Sequence, residues 1–176
     1  EDFNTSFNTG HGKHWFVDGK ISKEGEWNYR SVSGYLPTWR WWVEHSEDST
    51  PLKGRYDFDQ AYNGGNSLAF EGDLKANCSQ NVMLYSTKIP VTETTKLSVS
   101  HKGGIGAAAW VAVATKEDYS EYERKELTPS VDWSTQTFDL GSLAGKTIYA
   151  VKMFFDHDTD VKDYKFNLGQ LSITSN

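Results

Sequence analysis

The stretch Leu36-Pro37-Thr38-Trp39-Arg40-Trp41-Trp42 holds three of the chain's seven tryptophans. Side chains alternate across an extended strand. Trp39 and Trp41 therefore share one face, while Arg40 and Trp42 project to the other. Two indoles on one side, with a guanidinium and a third indole behind them, can do one of two things. They can form a wedge in a core or against a neighbouring domain. Alternatively they offer flat plates on which the apolar face of a pyranose stacks while polar groups fix its hydroxyls. Residue types alone leave both readings open.

A second concentration of chemistry lies at Asp156-His157-Asp158-Thr159-Asp160. Three carboxylates at alternate positions resemble the opening of an EF-hand loop, but Val161 stands where that loop needs glycine. Asn167 stands where its closing bidentate Glu belongs, so the EF-hand is excluded. A structural calcium held by loop carboxylates and backbone carbonyls stays compatible with Asp156, Asp158 and Asp160. It is equally compatible with Asp57 and Asp59, which precede the Asn63-Gly64-Gly65 turn; the alternative is plain solvated acidic loops. Strand parity places Asp57 with Asp59, and Asp156 with Asp158. Glycoside cleavage needs two carboxylates set across the scissile bond, which spacing along the chain does not establish. The histidines at 11, 14, 45, 101 and 157 show no zinc spacing beyond His11/His14, which lacks a second pair. No nucleophile elbow, HExxH or phosphate loop occurs. The glycines at 64–65 and 103–106 open no helix and read as turns and close packing. Cys78 is the lone cysteine, so no internal disulfide forms, and it reads as a small buried hydrophobe.

These residues must be positioned by strands. Short alternating segments between turn residues predict strands at 14–18, 39–45, 53–58, 66–71, 81–88, 95–100, 107–115, 134–139, 147–155 and 164–173. Period 2 is clear at Leu97/Val99, at Tyr149/Val151/Met153/Phe155 and at Tyr164/Phe166/Leu168. The last series then changes parity to Leu171/Ile173, which predicts a bulge at Gly169. The run Ala107 to Val113 is apolar on both faces and marks an inner strand. Trp15, Trp27, Trp110 and Trp133, each isolated, read as core residues. The charged stretch Lys116–Lys125, with tyrosines at 119 and 122, is the one helix candidate, a surface turn. With no βαβ alternation and no repeat, the pattern predicts an all-β antiparallel sandwich of jelly-roll type, a single module over residues 1–176.

Composition narrows the partners. Aromatics make up 14% of the residues and the formal charge is −6, with no Lys/Arg cluster. A nucleic-acid backbone is thereby excluded as main partner, since phosphates need concentrated positive charge. No apolar run approaches the ~20 residues of a membrane span, so no membrane insertion is expected. The chain begins at Glu1 without methionine or signal peptide, which suggests a processed or excised piece of a longer polypeptide.

Ordered motifs carry a resemblance. Phe7-Asn8-Thr9-Gly10-His11-Gly12, Trp15-Phe16-Val17-Asp18-Gly19-Lys20, Trp27-Asn28 and Leu36 to Trp42 resemble the β-sandwich that follows the barrel of family 85 glycoside hydrolases. Phe58-Asp59-Gln60-Ala61-Tyr62-Asn63-Gly64-Gly65-Asn66-Ser67-Leu68, Gly72, and Asn167-Leu168-Gly169-Gln170-Leu171-Ser172-Ile173 continue it in the same order, over nearly the whole chain. One departure is Ser33-Gly34, where the family pattern has Gln-Asp. The resemblance implies a galactose-binding-like jelly roll attached to an endo-β-N-acetylglucosaminidase, which cleaves the chitobiose core of N-glycans. The catalytic Glu and Asn of that family lie on the barrel, so this chain alone is expected to be no enzyme. It is expected to be an accessory carbohydrate-binding module using Trp39, Arg40, Trp41 and Trp42, or a scaffold packed on the catalytic barrel of the same polypeptide. The implied setting is extracellular or on a bacterial surface, with the cytoplasm as the alternative.

Overall fold

The computed structural model describes residues 9–11, 14–17, 20–21, 44–45, 52–62 and 65–175. Thirteen strands run through them: β1 (Thr9–His11), β2 (His14–Val17), β3 (Lys20–Ile21), β4 (Glu44–His45), β5 (Lys53–Tyr62), β6 (Gly65–Leu74), β7 (Cys78–Pro90), β8 (Lys96–Gly103), β9 (Ala109–Ala114), β10 (Tyr122–Leu127), β11 (Ser130–Asp139), β12 (Thr147–His157) and β13 (Val161–Thr174). Among the described residues the helical content is one 3-10 turn, Gly141–Leu143, and no helix is long and apolar enough to cross a membrane. A first sheet has the order β10-β9-β12-β7-β4 and a second β11-β8-β13-β6-β5, while β1, β2 and β3 form a small ribbon. Neighbouring strands pair antiparallel.

The alternating residues explain why the two sheets face each other. Val151, Met153 and Phe155 of β12, with Val111 and Val113 of β9, meet Leu97 and Val99 of β8 in one buried cluster. Tyr164, Phe166, Leu168, Leu171 and Ile173 of β13 complete it. Phe155 is the clasp. Its ring lies 5.4 Å from Phe70, 5.9 Å from Tyr164 and 5.9 Å from Phe166, tilted or edge-on to each, as ring quadrupoles prefer. The expected bulge is present: β13 slips against β8 between Leu168 and Gln170. Gly169 is required there because the rings of Tyr62 and Trp133, 5.2 Å apart, press onto it. A Cβ at 169 would sit 2.7 Å from Tyr62 and from Trp133. Trp133 is thus packed over the bulge of the second sheet, half-buried, and belongs to a different cluster from the sandwich core.

The alanine-rich run forms an inner strand as expected, with β9 between β10 and β12. The helix expected at 116–125 does not form. Residues 116–120 make a turn, with Tyr119 at φ 61° and its N–H on the Lys116 carbonyl at 2.9 Å. Asp118 Oδ1 accepts the Ser120 N–H and hydroxyl, and residues from 122 enter β10. Sheet-edge strands are commonly charged, which discourages further pairing; that charge hid the strand period in Tyr122–Leu127. Of the expected 39–45 strand, Glu44–His45 form β4, and the remainder lies outside the described residues.

Candidate functional site

The outer face of the first sheet is set by parity. With Val111, Val113, Val151, Met153 and Phe155 turned inward, Trp110, Ala112 and Ala114 of β9 and Ala150, Lys152, Phe154 and Asp156 of β12 face out. On β10 the outward set is Tyr122, Arg124 and Glu126. Small residues at 112, 114 and 150 leave room for long side chains to lie flat across the sheet.

Those long side chains form one assembly. Tyr122 stacks on Phe154, centroids 5.0 Å apart at 29°, and is 43% exposed. The Arg124 guanidinium lies 4.4 Å over the Trp110 ring and 4.8 Å from Phe154. Its Nη1 donates to Asp156 Oδ2 at 2.7 Å. A cation held over two rings and beside a carboxylate gains from the ring quadrupoles and from the ion pair. Its Nε–H, however, is buried with no partner.

Next to this assembly an open groove of about 730 Å³ runs past Trp110, Arg124, Asp156, His157, Asp158 and Cys78. His157 closes the β12–β7 ladder opposite Cys78. Its Nδ1 accepts the Thr159 N–H at 3.2 Å. That fixes the hydrogen on Nε2, which is buried without a partner. The groove therefore holds two buried donors that lack acceptors, a half-buried indole, and one carboxylate more than it has cations.

The residues singled out from sequence fare differently. Trp39, Arg40, Trp41 and Trp42 lie outside the described residues. Asp57 is buried. Its Oδ1 accepts the N–H groups of Asp59 and Gln60 at 3.1 and 3.3 Å. Its Oδ2 accepts Lys165 Nζ at 2.7 Å and Asn167 Nδ2 at 3.0 Å. Burial alone would raise this carboxyl, but the hydrogen bonds from Lys165 and Asn167 and the ammonium charge outweigh it and hold it down to about 2. The same turn at Asp57 bends β5, whose register against β6 breaks between Asp57 and Tyr62. Asp59 is consequently exposed and does not share the face of Asp57, contrary to the parity reading. Asp156 pairs with Arg124, Asp158 is exposed, and Asp160 Oδ1 accepts the Ala76 N–H at 2.8 Å.

Calcium takes six to eight oxygens. Asp57 and Asp156 already have protein cations as partners, and no described group of three His, Cys, Asp or Glu is placed to hold a metal. His101 is a core residue: it stacks on Phe166 at 5.6 Å, and its Nε2 meets Gln136 Oε1 at 2.9 Å. Tyr122 and Arg124 were missed from sequence; their alternation was the available signal, masked by Glu123 between them and the charged residues that follow.

Comparison with known proteins resolves the kinship. Over 98% of its length the chain matches, at 56% identity and a TM-score of 0.74, the crystal structure of the Spr0440 glycoside hydrolase domain, Endo-D from Streptococcus pneumoniae R6. The chain is a carbohydrate-binding-module-like β-sandwich related to a segment of Endo-D. The module spans 28% of that Endo-D chain. The family 11 carbohydrate-binding module of the Clostridium thermocellum cellulase Lic26A-Cel5E shares its fold at 11% identity and a TM-score of 0.55, covering 76% of this chain and 86% of that one. A family 11 module from the same organism, complexed with a β-1,3-1,4-mixed-linked tetrasaccharide, does so at 12% identity and 0.53, covering 84% and 92%. No family model and no curated protein matches the sequence.

Proposed function

We propose that this module is the non-catalytic, glycan-associated part of an endo-β-N-acetylglucosaminidase acting on the chitobiose core of N-glycans, working outside the cell. We further propose that it holds a neutral glycan on the outer face of the first sheet. The kinship with Endo-D supports the parent enzyme. The observation that carries the binding reading is Tyr122, an exposed ring backed by Phe154 and two residues along β10 from Arg124 at the groove. That spacing is about 7 Å along a strand, so a sugar stacked on Tyr122 has its neighbour at the groove. An acceptor oxygen that draws Arg124 or His157 outward satisfies an N–H now buried without a partner, and an unpaired buried donor costs about 1–3 kcal/mol. Trp110 is already covered by Arg124, so among the described residues beside the groove Tyr122 is the ring free to stack. The surplus carboxylate in the groove, Asp158, disfavours acidic glycans. Support for the non-catalytic reading comes from Asp57 and Asp156, each committed to a protein cation.

The test is calorimetric titration of the chain with an N-glycan core fragment. Tyr122→Ala should weaken binding at least about tenfold, the loss of ~1.4 kcal/mol of stacking, while leaving the melting temperature within a degree or two because the ring is exposed. Binding unchanged by Tyr122→Ala would remove this face as the site. No binding to any neutral glycan would leave the scaffold reading.

A further inference from the structure

The row of rings on the first sheet does not end at Tyr122. Residues 116–120 fold back over the same outward face, and Tyr119 is half-buried against Ala114 of β9 and Ala150 of β12. Ala114 pairs with Ala150 on one side and with Tyr122 on the other, so the two tyrosines flank the same alanine. Ala150, Phe154 and Asp156 stand on one side of β12, with Phe154 and Asp156 about 13 and 20 Å from Ala150 at the rise of a strand. Tyr119 over Ala150, Tyr122 over Phe154 and the groove at Asp156 therefore follow one another along β12, over a span longer than two sugar rings. The turn holds Tyr119 in a costly conformation. Among the described residues three non-glycines have positive φ: Asn77 at 56°, Asp163 at 54° and Tyr119 at 61°. Asn and Asp tolerate that region because their short polar side chains bond locally, whereas a bulky tyrosine is strained there. Such strain persists only where the surroundings over-determine it. The Tyr119 N–H donates to the Lys116 carbonyl at 2.9 Å, and the Thr115 N–H to the Glu121 carbonyl at 2.9 Å. Asp118 Oδ1 accepts the Ser120 N–H and hydroxyl at 3.0 and 2.6 Å. The Glu121 carboxylate accepts Lys146 Nζ at 2.8 Å, Lys116 Nζ at 3.3 Å and the Thr115 hydroxyl at 3.2 Å. A glycine at 119 would form the same turn without strain, so what the tyrosine adds is its ring.

We infer that Tyr119 is a third sugar contact, and that this face takes a neutral oligosaccharide of three or more units laid along β12 from the groove past Tyr122 to Tyr119. This rests on the binding reading above and extends it. The groove and Tyr122 hold two adjacent sugars, and the exposed half of Tyr119 meets the next. Lys152, half-buried and on the same side of β12 between Ala150 and Phe154, offers N–H donors to hydroxyls along that path. A strained turn that lays a ring at the far end of the row makes chain length, rather than a single sugar, the quantity recognised.

The experiment is calorimetric titration of the chain with three N-glycan core fragments: the chitobiose disaccharide, the trisaccharide carrying the first mannose, and the branched pentasaccharide. Wild type should bind the two longer fragments about tenfold more tightly than the disaccharide, the size of one stacked ring. Tyr119→Gly should lose that gain while binding the disaccharide as wild type does. Its melting temperature should stay within a few degrees of wild type, because glycine relieves the strained φ as it removes the packing on the two alanines. Tyr119→Asn, which also tolerates positive φ, should repeat the loss, and Tyr119→Phe, which keeps the ring, should restore the gain. Tyr122→Ala should weaken all three fragments alike. Equal wild-type affinity for the three fragments, or a gain that survives in Tyr119→Gly, would overturn the inference and leave the Tyr122 site standing. So would a Tyr119→Gly chain that melts far below wild type, since the ring would then serve packing. Absence of wild-type binding to all three fragments would instead remove the binding reading itself, and this inference with it.

Discussion

Asp57 is where the structure makes its sharpest quantitative demand. It is buried, and the donors that converge on it include the ammonium of Lys165, the amide of Asn167, and the N–H groups of Asp59 and Gln60. Removing one partner of a buried ion pair costs about 3–5 kcal/mol. Lys165 can turn toward solvent, so Asp57→Ala belongs at the lower end, about 3 kcal/mol. The depressed pKa that the same contacts produce implies a similar size. The carboxyl is held at about 2 against an ordinary 3.8, and at 1.36 kcal/mol per unit this amounts to about 2 kcal/mol. The sign follows from the depression: the contribution is complete above pH 3.8, where the unfolded carboxyl is ionised too, and is lost as pH falls toward 2. For a chain of this size each kcal/mol moves the melting temperature by roughly 2–4 °C. Circular-dichroism melts at pH 7 should therefore show Asp57→Ala about 6–12 °C below wild type. A pH series should show Asp57→Asn with a shallower loss of stability between pH 4 and 2. A variant that melts with wild type at pH 7 and keeps its acid profile would show that this cluster contributes nothing.

Three further outcomes are expected. Burial pushes the His101 imidazole below its usual 6.5, against a smaller raising effect of Gln136. Folding is then penalised as pH drops below 6.5, where the unfolded histidine takes up a proton, and is unaffected above it; denaturant titrations of His101→Phe between pH 7 and 5 should lose that slope. Gly169→Ala drives a methyl group against Tyr62 and Trp133 and should cost about 1–3 kcal/mol of overpacking, with a shifted Trp133 environment visible by NMR. Because Asp57 and Asp156 are engaged by Lys165 and Arg124, excess chelator should leave the melting temperature unchanged; a drop restored by calcium would show that an ion-binding site exists after all.

The legible parts of this sequence are those whose two faces meet different surroundings. β12 and β13 alternate because one side of each packs into the sandwich, and the parity change at Gly169 is written in the apolar positions around it. β10 is silent for the converse reason. It lies at a sheet edge, pairs through its backbone with β9, and carries charged residues on both faces, so no hydrophobic period marks it. The site inherits that silence. Arg124 reaches Asp156 on β12, and Asp57 meets an amide 110 residues away. Partners so far apart are brought together by strand order rather than by spacing. Sequence could name these carboxylates as chemically notable and suggest a metal. Only the strand order shows that Lys165 pairs with Asp57 and Arg124 with Asp156. The same reasoning explains why Tyr122 escaped notice: a tyrosine among charges looks like surface until β10 is seen to lay it across Phe154. At such positions the residue type states what chemistry is available, and the topology decides whether a ligand or the protein itself uses it.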